Sequence, residues 1–253
     1  MKAILVYRKA ALALAAIASL AAIPHAHARV VVDGTRVVYP AARREVTINV
    51  RNPDNKPSLV QAWLDAGDAS AKPGESKVPF VLTPPLFRLD PAKTQSLRMV
   101  YTRDPIPQDR ESLFWLNVLD IPPRAAANPD APNQLELAFK HRMKVFLRPD
   151  GLSGSAADAP GKLTWKLLSK DGRFVSLEAS NPTPYHVSLI GVSVVQNGHT
   201  VTARAEMVDP FGSRSFDLPE SLPAATGAIT VGYVFINDYG GDVKGSASAT
   251  ATP

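Results

Sequence analysis

The sequence predicts an all-β protein built from two sandwich-type domains. Short β-rich runs recur along it, separated by Pro, Gly, Asn and Asp clusters, the pattern of many short strands joined by tight turns. No long stretch carries a 3.6-residue apolar period, and the 23 prolines argue against long helices. A composition shift follows Arg148-Pro149: Asp150 to Lys162 is rich in Gly, Ser, Ala and Asp. That segment reads as a linker and sets a domain boundary near residue 150.

Taken in order, the chain begins with a positive region holding Lys2, Arg8 and Lys9, then an apolar run from Ala10 to Ile23 broken only by Ser19, then Pro24 and Ala26-His27-Ala28. This is the layout of a secretory signal peptide cleaved after Ala28. The run of 14 residues is too short for a membrane span, which needs about 20. The expected product is exported and not membrane-embedded. Cleavage removes three of the 28 basic residues and no acids, leaving 25 basic against 23 acidic side chains, a net of +2. So balanced a chain points to no nucleic acid partner. There are no cysteines, so each domain must fold by core burial alone, and the roughly 225 remaining residues suit two domains. The expected division is 1–28 signal peptide, 29–150 first domain and 151–253 second domain.

In the first domain Val30-Val31-Val32, Val46 to Val50, Val60 to Leu64, Gln95 to Tyr101 and Leu113 to Leu119 read as strands. Asn52 to Pro57 and Asp65 to Glu75 read as turns and loops between them. In the second, Leu163 to Leu168, Phe174 to Ala179, His186 to Val195, Thr200 to Met207 and Ala228 to Ile236 repeat the pattern. The small, polar segment from Gly245 to Pro253 reads as a disordered tail.

Leu135 to Leu147 stands apart. Its odd positions are Leu135, Leu137, Phe139, His141, Met143, Val145 and Leu147, and most even positions are polar or charged. Alternation over thirteen residues spans roughly 40 Å at about 3.3 Å per residue. A domain of about 120 residues is only about 35 Å across. Such a strand either overruns its sheet as an edge that binds a partner or is a long inner strand with ordinary burial; pattern alone leaves both open.

Several blocks, in order, resemble the periplasmic pilus (fimbrial) chaperones of the chaperone–usher pathway: Thr83-Pro84-Pro85-Leu86-Phe87-Arg88-Leu89; Pro107 to Asn117, containing Asp109-Arg110-Glu111-Ser112-Leu113-Phe114; Ile121-Pro122-Pro123; Lys144-Val145-Phe146-Leu147-Arg148-Pro149; Asn181-Pro182-Thr183-Pro184-Tyr185; and Ile236-Asn237-Asp238-Tyr239-Gly240-Gly241. The resemblance implies two immunoglobulin-like sandwiches set at an angle around a cleft. Its partners would be pilus subunits and an outer-membrane usher. A subunit lacking its last strand would be completed by the chaperone's long strand, through Leu135, Leu137 and Phe139 here. Arg36 and Lys144 match the pair that anchors the subunit's C-terminal carboxylate, and Glu111, Arg148 and Asp238 match a charged network that fixes the interdomain angle. The exposed strand also leaves room for a self-capping dimer.

The chain departs from the family pattern in the eleven residues from Arg124 to Gln134, which lie nearer the short-loop branch, in lacking a second-domain Cys pair, and at Asp150 to Lys162. Rival functions find less in the residues. Asp109 and Glu111 are neighbouring carboxylates without an acid–base partner, and there is no nucleophile elbow, phosphate loop or His-Glu zinc motif. Outside the signal, His141, His186 and His199 lie far apart. No catalytic residue, metal or cofactor is therefore expected. An exported carbohydrate-binding or adhesin sandwich is the alternative, with Trp63, Trp115 and Trp165 as its platform.

Overall fold

The structure, a computed structural model, describes residues 30–123, 137–223 and 229–252. The first domain comprises β1 (Val31–Val32), β2 (Arg36–Pro40), β3 (Val46–Arg51), β4 (Ser58–Asp65), β5 (Phe80–Thr83), β6 (Leu86–Leu89), β7 (Thr94–Tyr101), β8 (Ser112–Ile121) and β9 (Phe139–Arg148). The second comprises a 3₁₀ turn (Ala159–Lys162), β10 (Thr164–Lys170), β11 (Arg173–Ser180), β12 (Val187–Gln196), β13 (His199–Arg204), β14 (Met207–Val208), β15 (Ser213–Pro223), β16 (Ile229–Ile236) and β17 (Asp242–Thr252). Among the described residues there is no α-helix, and the all-β expectation holds.

The first domain is a sandwich of sheets ordered β1-β3-β7-β5 and β2-β9-β8-β4-β6. One N-terminal segment serves both. Val31 and Val32 pair with β3, the chain turns at Gly34 with φ +83°, and Arg36–Pro40 then pair with β9 in parallel. Only glycine adopts that backbone freely. Between the sheets lies a core that includes Tyr39, Val50, Val60, Leu97, Met99, Leu116, Val118, Val145 and Leu147. Each such large side chain contributes about 1.5–3 kcal/mol by leaving water.

The second domain has its own core around Trp165, Leu167, Phe174, Leu177, Val194, Val208 and Val231. Its strands run β13-β12-β16-β17-β10-β11-β15. The long β17 joins the two halves of that ladder: Asp242 to Ala249 pair antiparallel with β16, and Ala249 to Thr252 pair in parallel with β10.

Two sequence expectations are corrected here. Gly245 to Thr252 is not a disordered tail but most of β17. Its residues are small because they run beneath large ones. Gly245 lies opposite Tyr233, where an added Cβ would collide with the ring, and Ala249 is buried in the core. Asp150 to Lys162 is not a free linker either. Leu152 and Ala156 pack on the second core, Ala159 is buried in it, and the Tyr185 hydroxyl donates to the Gly154 carbonyl at 3.1 Å. Gly151 and Gly154 supply the positive-φ turns that bend the segment onto the domain.

Deleting residues 245–253 is therefore expected to unfold the second domain, read as loss of its thermal transition and of protease resistance. A truncated protein that melts like the full chain would return this segment to the status of a tail.

Candidate functional site

The site is built on β9. Alternation along this strand sends Met143, Val145 and Leu147 into the first core and Lys144, Phe146 and Arg148 to the opposite face. On β2 the same rule buries Val37 and Tyr39 and leaves Arg36 on the face of Lys144. The parallel register makes Arg36 and Lys144 direct partners, with Pro40 opposite Arg148. A cleft of about 370 Å³ opens beside this face, lined by Arg36, Glu111, Phe146 and Arg148 from the first domain and by His186, Phe235 and Asp238, among others, from the second.

A clasp of charges crosses the interface. The Arg148 guanidinium donates from Nε to Glu111 at 2.7 Å and through both terminal nitrogens to Asp238 at 2.9 and 3.1 Å. The other Glu111 oxygen accepts the backbone N–H of His186 at 2.8 Å and lies 3.2 Å from its Nδ1. An ionised carboxylate can only accept, so that nitrogen carries a hydrogen. The Glu111 side chain is 2% exposed. Burial pushes its carboxyl upward, but the His186 hydrogen bonds and the Arg148 charge outweigh burial and hold it below the usual carboxylate range. Burial alone would lower the Arg148 pKa; its two carboxylate partners raise it instead.

Asp238 reaches Arg148 from a turn that its neighbours shape. The Asn237 side-chain oxygen accepts the N–H groups of Tyr239 and Gly241 at 3.0 and 2.9 Å. Gly240, at φ +85°, sits against the Thr35 hydroxyl with no room for a Cβ. Glu111, Arg148 and Asp238 are thus brought together across the two domains.

Arg36 and Lys144 differ from this satisfied network. Arg36 donates a hydrogen bond to the Ile236 carbonyl at 3.0 Å, and its Nε is buried without a hydrogen-bond partner among the described residues. Burial lowers its pKa, partly offset by Asp238 and Glu111. Lys144 is half-buried and makes no ion pair among the described residues. Burial, then the neighbouring Arg36 charge, push its ammonium below the usual lysine value, with Asp209 and Glu206 opposing from a distance. Two cations paired directly across strands destabilise one another. The pair is suited to accept an anion with charge-assisted hydrogen bonds.

The long strand is corrected in extent. β9 is ten residues rather than thirteen. Leu137 precedes it without strand structure, and Leu135 lies outside the described residues. It is also neither wholly edge nor wholly interior. β8 pairs with Phe139 to Leu147, whereas β2 covers only Lys144 to Arg148. Among the described residues, Phe139 to Met143 therefore offer an unpaired backbone edge. Phe139 shares a side of the strand with Met143, yet is 51% exposed where Met143 is 6% exposed; Leu137 is 51% exposed as well.

The tryptophan platform does not form. Trp165 is buried in the second core and Trp63 is buried in the first domain, donating to the Ala71 carbonyl at 3.1 Å. Sequence reasoning missed His186, which is tied to Glu111, and Arg142, which pairs with buried Asp65 at 2.6 Å. Neither carried a local signal, since both partners are remote in sequence. Among the described residues no cluster of His, Asp and Glu has the arrangement of a metal site, and no helix is long and apolar enough to cross a membrane.

Three outcomes follow from the charges. Arg148→Ala leaves Glu111 buried and short of its cation, at an expected cost of about 3 kcal/mol, checked by denaturant unfolding; an unchanged midpoint contradicts the clasp. Because the Glu111 pKa is lowered on folding, its stabilisation is complete above the ordinary carboxylate pKa and is lost as pH falls through the lower folded value. Glu111→Gln should flatten that acid limb. Conversely, Lys144→Met removes a half-buried charge and should stabilise the isolated protein, by on the order of 1 kcal/mol after solvent screening, measured as a rise in Tm.

Comparisons with known proteins match both domains of the chain. Residues 29–153 match the pili and flagellar-assembly chaperone, PapD N-terminal domain, and residues 158–247 the pili assembly chaperone PapD, C-terminal domain. The chain is 44% identical over 236 residues to the chaperone protein FimB/FhaD of Bordetella pertussis, covering 92% of each. It is 39% identical over 222 residues to the probable fimbrial chaperone YadV of Escherichia coli, covering 87% of this chain and 89% of that one. A solved YadV chaperone superposes with a TM-score of 0.74 at 36% identity, over 87% of this chain and all of that one. The SafB chaperone of Salmonella enterica, solved in complex with the SafA pilin, gives 0.70 at 32% identity, over 89% of this chain and 98% of the other. With both domain models matched in order along one chain, the protein belongs to the PapD-like family of pilus-assembly chaperones.

Proposed function

We propose that the protein is a periplasmic chaperone that captures a pilus subunit by completing the subunit's sheet, caps it, and passes it to an outer-membrane usher. The observation that carries this reading is that β2, which begins at Arg36, pairs with β9 no further back than Lys144. Beyond that point β9 has a free backbone edge, and at that point stand two cations with unmet demand for an anion. A guest strand laid along Phe139 to Met143 ends at Arg36 and Lys144. If its C-terminal carboxylate is what they hold, the guest runs parallel to β9, as β2 does. Leu137 and Phe139, with Leu135 preceding them, are the side chains offered to the guest's open groove. Each would contribute about 1.5–3 kcal/mol on burial.

The Glu111–Arg148–Asp238 clasp serves the same act by holding the second domain where the guest needs it. Residues 29–150 form the chaperone domain, 151–253 the domain clasped to it, and 1–28 the export signal removed on the way. The work is binding, with no catalytic residue, metal or cofactor. In the absence of a subunit, the open edge and exposed Leu137 and Phe139 are covered by a second copy in a self-capping dimer.

Co-expression with the pilus subunit from the same gene cluster should give a one-to-one periplasmic complex. Arg36→Ala and Lys144→Ala should each abolish capture, and Phe139→Arg should do so while leaving the fold intact. Unchanged capture in both cation variants overturns the anchor. Equal capture of a subunit already carrying its own missing strand overturns strand donation.

A further inference from the structure

The residues flanking Lys144 form a row across four strands. In successive registers Asp65 on β4 faces Trp115 on β8, Trp115 faces Lys144 on β9, and Lys144 faces Arg36 on β2. Directly paired residues share a face of the sheet, so this row runs from a buried acid, over an indole, to the two cations. One step along β9, Arg142 faces Asn117 at the level where β2 is missing.

The acid is not available to the two cations. The Asp65 side chain is 1% exposed and receives Arg142 at 2.6 Å, Asn117 at 2.7 Å and the Gly67 backbone N–H at 2.7 Å. Burial pushes the Asp65 carboxyl upward; the Arg142 and Asn117 hydrogen bonds outweigh it and keep it ionised. The charge of Arg142 is thereby matched. Its guanidinium carbon lies 4.0 Å from the centre of the Trp115 ring, and the Lys144 Nζ lies 5.7 Å from that same centre.

A half-buried ammonium beside Arg36 needs some compensation in the free protein. The ring supplies it: an aromatic face attracts a cation without neutralising it. A carboxylate at that position would pair with Lys144 and occupy the anion site; an indole attracts the ammonium without cancelling its charge, so it can still pair with a guest carboxylate. The ring is itself braced from Asp65 through Arg142, so it has a defined place from which to hold the lysine.

We infer that Trp115 is the positioning residue for Lys144, with the Asp65–Arg142 pair as its brace. This rests on the carboxylate-anchor reading proposed above. The test uses the full chain and a synthetic peptide copying the last residues of the pilus subunit from the same gene cluster, made as the free acid and as the C-terminal amide, with affinities from calorimetry. The quantity read is the preference for acid over amide. Trp115→Leu should lower that preference on the order of tenfold, while Trp115→Phe, which keeps an aromatic face, should hold it within about twofold. In a Lys144→Ala background Trp115→Leu should change it no further. Acid and amide weakening together in Trp115→Leu, or losses that add in the double variant, would show a strut and overturn the inference. Those failures count against Trp115 alone provided Lys144→Ala by itself lowers the preference. If Lys144→Ala leaves it unchanged, the anchor falls and the role of Trp115 with it.

Discussion

The structure depends on where β2 begins. Five residues, Arg36 to Pro40, pair with only the second half of β9. Had the segment crossed from β3 to β9 two residues earlier, it would have covered more of the edge that now lies bare. The crossing is set by Gly34, whose positive φ lets the chain leave one sheet and join the other within three residues. From that one turn follow a closed sandwich below Lys144, an open edge above it, and a first paired residue, Arg36, stationed at the junction. The open edge and the cations are thus one feature of the backbone rather than two adaptations of side chains.

Electrostatics divides the interface into a satisfied half and an unsatisfied half. Glu111, Arg148, Asp238 and His186 hydrogen-bond one another across the domains, and losing Arg148 would strand the buried Glu111. Lys144 lies four residues before Arg148 on β9, with Arg36 opposite it on β2, and neither forms an ion pair with a carboxylate among the described residues. The contrast has a mechanical sense. On the proposed reading, the clasp keeps the second domain from closing over the two cations, and the hydrogen bond from Arg36 to the Ile236 carbonyl aims that guanidinium before any guest arrives. Preorganised charge binds better than mobile charge because little entropy remains to be lost.

Much of this was legible in the sequence, for identifiable reasons. Strands such as Val46–Arg51 and Val60 to Leu64 announce themselves because one face is apolar and the turns between them need Gly, Pro, Asn or Asp. Alternation also marked β9 as unusual, since its apolar face continues through Leu137 and Phe139 past the end of the core. What pattern could not give was the register of β2 on β9, which depends on a parallel contact between segments over a hundred residues apart. Nor could it give the Asp65–Arg142 and Glu111–His186 pairs, each joined by folding alone. The β17 error has a different source. Composition equates small, polar residues with disorder, but Gly245 and Ala249 are small because Tyr233 and the second core leave no volume for more. A rule about hydrophobicity missed a constraint that is steric.

The open edge and the two unmatched cations both cost stability in the free protein, and the fold tolerates them because they lie outside either core. Val145 and Leu147 are fully buried on one face of β9 while Lys144 carries the mismatch on the other. Strand alternation separates the two demands residue by residue. A helix facing the cleft would not do so as cleanly, because its side chains leave in all directions and only one stripe is buried. A strand lets every second residue anchor the domain and leaves the alternate ones free, and before Met143 the anchoring face itself becomes exposed at Phe139, the face proposed to bind. On the proposed reading, the deficit that remains is the reservoir a guest would relieve: backbone groups would gain partners, Phe139 would leave water, and Lys144 would gain its anion in one event. A chaperone that must hold its client tightly yet give it up has reason to draw affinity from relieving its own strain, because a competing strand that completes the client's sheet needs only to match the guest's half of the bargain.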